Sequence, residues 1–259
     1  MADRRKGIFL EIVRNAGADL VGIASVDRIP LSYPPRQARE ILPGAKSVVV
    51  ILARQSYGAI SNHKRYKPAI KDILMAYSFV DSAAARIARA LEDEGFLSVA
   101  IPSTMPVEFL GRRNFIGEFA HRNAAIAAGL GTRGRNNLLI TPQFGPRHRL
   151  ASVLTEAELE PDEPLKEDVC THCNKCVEVC PVRAFDEGTE DKPVDVMRCR
   201  SYLTRPLLGG MKVRHLLKSM FTTRDWLGEV VQTLMLGYHS NCHLCMSVCP
   251  VGEMKRSIQ

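Results

Sequence analysis

The chain has 259 residues, 46% hydrophobic and 24% charged, with a net charge of +7. That length suits one large domain or a medium domain with a small companion, and the composition excludes a disordered or fibrous chain. No apolar run approaches the ~18 residues of a membrane-spanning helix, so a cytoplasmic protein with no membrane partner is expected.

The charge is unevenly spread: residues 1–150 hold 22 Lys/Arg against 12 Asp/Glu, whereas residues 151–259 hold 13 against 16. The basic part is the one suited to an anion, whether a phosphate-bearing cofactor, a nucleic acid or an acidic substrate, and a solubilising surface would share its composition. In chain order, the opening MADRRKGIFLEI carries the paired Arg4 and Arg5 of a twin-arginine export signal. Glu11, Arg14 and Asp19 interrupt the apolar stretch such a signal needs, while Ile8, Ile12 and Val13 recur at helical spacing, which predicts an amphipathic helix. Ala18–Val26 reads as a strand, followed by a loop through Pro30, Pro34 and Pro35. Ser47–Ala53 is a continuous, β-branched apolar run, as a strand buried on both faces should be. A helical pattern runs from about Ile70 to Glu94 and stops at Gly95. Leu97–Ile101 is strand-like, Glu118–Ala128 helical, and Asn137–Thr141 and Arg149–Thr155 strand-like again. Strands alternating with helices predict an α/β layered domain over residues 1–160. The acidic, Pro-containing Glu156–Asp168 reads as a linker or boundary loop before a second domain at 161–259.

All eight cysteines fall between Cys170 and Cys249. Disulfides that staple a fold spread over it, and a chain of this size needs none, so the crowding points to metal in a reducing compartment. CTHCNKCVEVCP supplies Cys170, Cys173, Cys176 and Cys180 followed by Pro181, the spacing of bacterial two-cluster ferredoxins. Three thiolates two residues apart wrap one face of a cubane, and the fourth points to the other cluster. NCHLCMSVCP repeats the pattern as Cys242, Cys245 and Cys249, with His239 at the place of the missing first cysteine and Cys199 alone between the runs. Two [4Fe–4S] clusters are predicted, one on Cys170, Cys173, Cys176 and Cys249, the other on Cys180, Cys199, Cys242 and Cys245. Two zinc sites would also use eight thiolates, although zinc knuckles come as paired C-x2-C units; a cluster ligated by His239 in place of Cys199 is the other alternative. An insertion from about Ser201 to Tyr238 separates the runs and carries Trp226.

GLGTRG at 129–134 matches G-x-G-x-x-G, but a helix precedes it and a strand follows, the reverse of a dinucleotide fold. Two readings stay open: a helix cap and turn with positive-φ glycines, or a close backbone approach to a bulky cofactor. On the second, Gly129, Gly131, Gly134, Arg135 and Asn136 are the candidate cofactor-binding residues, helped by Arg133, Arg147 and Arg149.

With GLGTRGRNNLLITPQFGPRHRL, CTHCNKCVEVCP, CRSYLT and CHLCMSVCP, the chain resembles the epoxyqueuosine reductase and reductive dehalogenase family. The resemblance is densest from about His121 to Pro250 and extends to ADLVGIASVDRI and ILPGAKSVVVI. It implies a nitroreductase-like α/β domain holding base-off cobalamin, joined to a two-cluster ferredoxin-like domain. Electrons would pass from a ferredoxin- or flavodoxin-type donor through the clusters to cobalt, for reduction of a small or nucleoside-like substrate. The alternatives are an electron-transfer or regulatory iron–sulfur protein without a corrinoid, and epoxyqueuosine reduction on tRNA. Where the tRNA enzymes carry a catalytic aspartate in a segment like V-D-T-A-P, this chain has IPSTMP with Ser103 in its place. A hydroxyl does not donate a proton near neutral pH as a carboxylic acid does. Tyr57, His63, Tyr66 and His121 are then the proton-donor candidates by residue type, with Tyr66 of HKRYKP placed first by the family's Arg-Tyr pair. The C-terminal helical repeats of many tRNA enzymes and the export signals of respiratory dehalogenases are not expected.

Overall fold

The computed structural model describes residues 17–30, 37–61, 66–104, 107–108, 116–117, 119–185, 194–199 and 242–253. The predicted first helix, Pro34 and Pro35, His63, the Ser201–Tyr238 insertion and His239 lie outside the described residues, as does the side chain of Tyr66. In chain order the elements are β1 (Leu20–Ser25), a 3-10 turn (Val26–Arg28), α1 (Ala38–Ile41), β2 (Ser47–Arg54), α2 (Tyr57–Ile60), α3 (Tyr66–Asp93) and β3 (Ser98–Ile101). There follow β4 (Val107–Glu108), β5 (Ile116–Gly117), α4 (His121–Ala127), β6 (Thr132–Arg133), β7 (Leu139–Ile140), β8 (His148–Thr155), α5 (Lys175–Glu178) and α6 (Leu244–Ser247).

The apolar run of β2 forms the heart of a four-stranded sheet ordered β1-β2-β8-β3, and seven of its eight residues are buried. A strand hidden on both faces needs no polar alternation, which is why its sequence shows none. Every pairing is antiparallel, with Ile23 opposite Val49 and Val49 opposite Val153. Since β2 and β3 are each antiparallel to β8, they run the same way with β8 between them. The helix α3 is the crossover of this split βαβ arrangement. The domain is therefore mixed α/β, but its hydrogen-bond ladders are antiparallel.

On α3, Ala76, Val80, Ala83, Ala84, Ile87, Ala88 and Leu91 recur at three- and four-residue steps and form one buried stripe. That stripe covers Val49, Ile51, Ala53, Ala151 and Val153 on one face of the sheet. The helix ends where its glycine predicts: Gly95 takes φ +90°, and the amides of Gly95 and Phe96 donate to Glu92 and Leu91 carbonyls. The opposite face carries Ala24, Val48, Val50, Leu52 and Leu154, covered by Ala124, Ala125, Ala127 and Ala128 from α4 and its end. Alanine at these positions lets α4 lie close to the sheet.

The stretch read as a boundary loop is fastened to the sheet. Leu159 N–H donates to Ser47 Oγ (3.0 Å), and Asp162 and Ile23 exchange two bonds through Asp162 N–H (2.9 Å) and Asp162 Oδ2 (2.8 Å). Arg28 donates to the Asp162 carbonyl and to Glu163 Oε1, both at 3.1 Å. The chain is thereby led along β1 toward the cysteine region, which fixes where that region meets the α/β layers.

Candidate metal centre

The first cysteine run is held by polar contacts from its own chain. Asp168 Oδ1 accepts from Thr132 Oγ1 (2.6 Å) and from Cys170 N–H (3.0 Å), while Thr132 Oγ1 accepts from Val169 N–H (2.9 Å). His172 and Asn174 then adopt φ of +50° and +59°. Such left-handed residues reverse the chain locally. The turns bring Cys170, Cys173 and Cys176 onto the wall of one cavity, which Cys249 completes from the far end of the chain. Arg135, Asn136 and Lys175 line the same cavity.

Cys180 is a charged neighbour of Cys199, Cys242 and Cys245. Burial first, and then the neighbouring Cys242 and Cys180, push the Cys199 thiol up. Burial and Cys180 do the same to Cys242. Cys245 is raised most, by burial and by Cys242, Cys199, Cys176 and Cys180. Cys176, in the first group, is pushed up to about 11 by burial and by Cys170, Cys249 and Cys173. The exposed Cys173 is instead lowered, chiefly by the Lys175 backbone N–H. Thiolates crowded in this way repel one another unless cations lie between them, and iron binding would displace their protons. The Cys180 sulfur already accepts a hydrogen bond from Ala184 N–H at 3.3 Å, the kind of contact that surrounds iron–sulfur clusters. The thiol chemistry of the donors suits iron and one cavity gathers four of them, although among the described residues no three potential ligands stand close enough to hold a single metal ion.

The second cysteine segment docks on the α/β domain through α6. Met246 is buried against Ile60, Ala69 and Ile73, with Tyr77, Leu138 and Cys245 packed around them. Arg147, only 2% exposed, donates to the carbonyls of Met246 (3.2 Å), Cys249 (3.0 Å) and Val251. Arg149 stacks over the Tyr77 ring at 4.9 Å and reaches Met246 Sδ. Asn136 Nδ2 donates to the Cys245 carbonyl at 3.4 Å. Arg147, Arg149 and Asn136, read from the sequence as contacts for an anion or cofactor, thus hold the cysteine segment. Arg133 bonds to Asn137 and Asn123.

The bare faces of the glycine loop meet their own chain. A Cβ would lie 2.3 Å from the Glu163 carbonyl oxygen at Gly129, 2.3 Å from the Ile140 carbonyl oxygen at Gly131 and 2.5 Å from the Ile140 side chain at Gly134. Close packing accounts for glycine at these positions, and Gly129 also has φ +69° at the end of α4. That packing requires glycine at these positions whether or not a cofactor lies alongside the loop. Gly131→Ala should lower stability by ~2 kcal/mol or more, because the clashing atom is backbone. Thermal unfolding of the variant should fall accordingly, and with Thr132 displaced from Asp168, cluster uptake should slow.

The proton-donor candidates are also placed. His121 Nδ1 accepts from Ser152 Oγ (2.8 Å) and its Nε2–H donates to the Pro102 carbonyl (3.1 Å), so both ring nitrogens are committed. The Tyr57 ring stacks on Arg147 and its hydroxyl donates to Glu253 Oε1 at 3.1 Å. Ser103 N–H donates to Asp81 Oδ1 at 2.8 Å, which sets a carboxylate beside the serine. Asp81 was not singled out in the sequence, since it lies on α3, remote in the chain from the IPSTMP segment. Among the described residues no helix is long and apolar enough to cross a membrane.

Residues 169–252 match the 4Fe-4S double cluster binding domain family. The chain is 32% identical over 162 residues to a tetrachloroethene reductive dehalogenase of Desulfitobacterium hafniense, covering 60% of this chain and 26% of that protein. It is 33% identical over 138 residues to an epoxyqueuosine reductase of Listeria monocytogenes, covering 53% of this chain and 31% of that one. The chain thus spans between a quarter and a third of these curated relatives. A solved epoxyqueuosine reductase from Streptococcus thermophilus superposes with a TM-score of 0.60 at 17% identity, over 95% of this chain and 66% of that one. The chain is thus similar in sequence to epoxyqueuosine reductases and reductive dehalogenases, shares the fold of a solved epoxyqueuosine reductase, and matches the 4Fe-4S double cluster binding domain over residues 169–252.

Proposed function

We propose that this protein is an iron–sulfur reductase in which two [4Fe–4S] clusters relay electrons from a donor protein to a reaction centre in the α/β domain. One cluster is held by Cys170, Cys173, Cys176 and Cys249, the other by Cys180, Cys199, Cys242 and Cys245. The observation that carries this reading is the gathering of four thiols on one cavity wall, with a further cysteine, Cys245, against the α/β core. Cys173 stands exposed, while the partly buried Cys245 packs against the cluster of Ile60, Ala69, Ile73 and Met246. Electrons enter near the exposed Cys173 from a ferredoxin- or flavodoxin-type donor and leave near Cys245, beside the α/β core. Arg135 and Asn136 flank the first cluster, and Gly129, Gly131 and Gly134 let the chain fold tightly beneath it.

The resemblance names base-off cobalamin in a nitroreductase-like layer as the acceptor, and a reductive dehalogenase of the same fold is described by B12-dependent dehalogenation. Bound there, it would supply a strongly reducing metal for a small or nucleoside-like substrate. Tyr66, at the start of α3, remains the proton-donor candidate. Anaerobic reconstitution with iron, sulfide and cobalamin should yield about eight irons per chain, together with a base-off cobalt signal in electron paramagnetic resonance. Far fewer irons would end the relay reading.

A second reading is favoured by Ser103: without the aspartate, the protein is an electron-transfer or regulatory partner with no corrinoid of its own. Full iron content with no retained corrinoid, and cluster turnover only beside a partner enzyme, would select it. Epoxyqueuosine reduction on tRNA draws on the basic first domain, since an epoxyqueuosine reductase of this fold is solved with a modified tRNA stem loop. Its mark is salt-sensitive tRNA binding.

A further inference from the structure

We propose that Arg147 sets the reduction potential of the cluster on Cys170, Cys173, Cys176 and Cys249, besides joining that cluster's loop to the α/β domain. The inference rests on the ligand grouping proposed above. Arg147 lies just before β8, and the two chains it joins touch directly. A Cβ at Gly145 would sit 2.1 Å from the Val251 carbonyl oxygen, and one at Gly252 would sit 2.4 Å from Gly145 N. Across this seam the guanidinium donates to the carbonyls of Met246, Cys249 and Val251, while the Tyr57 ring closes over it at 5.1 Å. All three acceptors are neutral. Among the described residues Arg147 has no carboxylate within ion-pairing distance, and Glu253, the acid on this side, is bonded to Tyr57.

A buried cation bonded only to neutral carbonyls calls for a negative group nearby. The carbonyl that Arg147 binds at 3.0 Å belongs to Cys249 itself, a thiolate ligand of the proposed cluster. A cubane with four thiolates carries two negative charges when oxidised and three when reduced. A fixed positive charge beside it stabilises the reduced form more, and does so strongly where water is excluded. Arg147 therefore raises that cluster's potential and makes it the readier electron acceptor. It acts as a positioning residue, because it touches the ligand's backbone rather than any reacting atom.

The test is a redox titration of the reconstituted full chain, followed by electron paramagnetic resonance. The relevant cluster is identified as the one lost in Cys249→Ser. In Arg147→Met the reduced-to-oxidised ratio of that cluster should fall about tenfold at fixed ambient potential, ~59 mV for a one-electron couple. The other cluster should shift far less. Arg147→Lys, which keeps the charge, should recover most of the difference, and Glu253→Gln should shift the same cluster the opposite way. Arg147→Met with all its iron and unmoved potentials would reduce Arg147 to a structural clamp and overturn the proposal. If Arg147→Met does not hold its clusters, an unmoved potential in Glu253→Gln overturns it instead. Wild-type protein lacking either cluster would refute the ligand grouping, a failure visible before any variant is compared.

Discussion

Cys245→Ser should hold about four irons per chain where the wild type holds about eight, and should lose electron delivery to the α/β domain. Cys245 is packed among Ile60, Ile73, Met246 and Leu138, and its thiol is forced up by burial and by Cys242, Cys199, Cys176 and Cys180. Serine would place there a hydroxyl of much higher pKa than the thiol, which cannot replace the thiolate. Substrate reduction driven by a chemical donor should drop by more than ~100-fold, beyond the ~10–100-fold typical of losing an outer-shell partner. The remaining cluster should keep its signal, because its cavity is walled by Cys170, Cys173, Cys176 and Cys249. Iron analysis and low-temperature electron paramagnetic resonance of one preparation decide the matter. A variant that keeps about eight irons would remove Cys245 from the ligand set.

Acid should destabilise the protein through His148. Its ring is 6% exposed, Nε2–H donates to the Leu139 carbonyl at 3.0 Å, and Nδ1 is buried with no hydrogen-bond partner. Burial first, and then the adjacent Arg149 and Arg147, push its pKa down from 6.5 to about 4. Above pH 6.5 the ring is neutral in both folded and unfolded chains and stability does not depend on it. Between 6.5 and about 4 the unfolded chain takes up a proton that the native ring refuses, so stability falls as pH falls. The loss approaches ~3 kcal/mol and levels off below the folded value. His121 is pushed the same way, to about 4, chiefly by burial. Its ring is only half-buried, so water offsets part of its effect. His148→Gln can keep the bond to Leu139 but does not titrate. Denaturant unfolding from pH 7 to 4.5 should therefore show a shallower decline in the variant. Parallel curves would assign the acid sensitivity elsewhere.

Much of the scaffold was legible because its signals are local. The uninterrupted apolar run of β2, the three-and-four spacing along α3 and the glycine at its end each reflect contacts made within one element. Boundaries moved little: the strand read as Arg149–Thr155 is His148–Thr155, and the helix read as Glu118–Ala128 is His121–Ala127. The strand read as Asn137–Thr141 shortens to Leu139–Ile140, whose pairing with β6 spans only two residues. The direction of pairing was not legible. It depends on β8 entering between β2 and β3, a contact between residues about a hundred positions apart in the chain. In the same way, GLGTRG carries a cofactor pattern, yet its packing depends on carbonyls at Glu163 and Ile140 that no short motif contains.

By itself the sequence determined the metal chemistry, because thiolate spacing along a short loop dictates what three neighbouring sulfurs can wrap. It also determined which strand is buried on both faces and where the long helix stops. Only the tertiary structure decided that Arg147 and Arg149 face the second cysteine segment rather than an anion in solvent. The physical reason is that a side chain's charge is written in its type, whereas its surroundings and counter-charge come from segments the folded chain brings together.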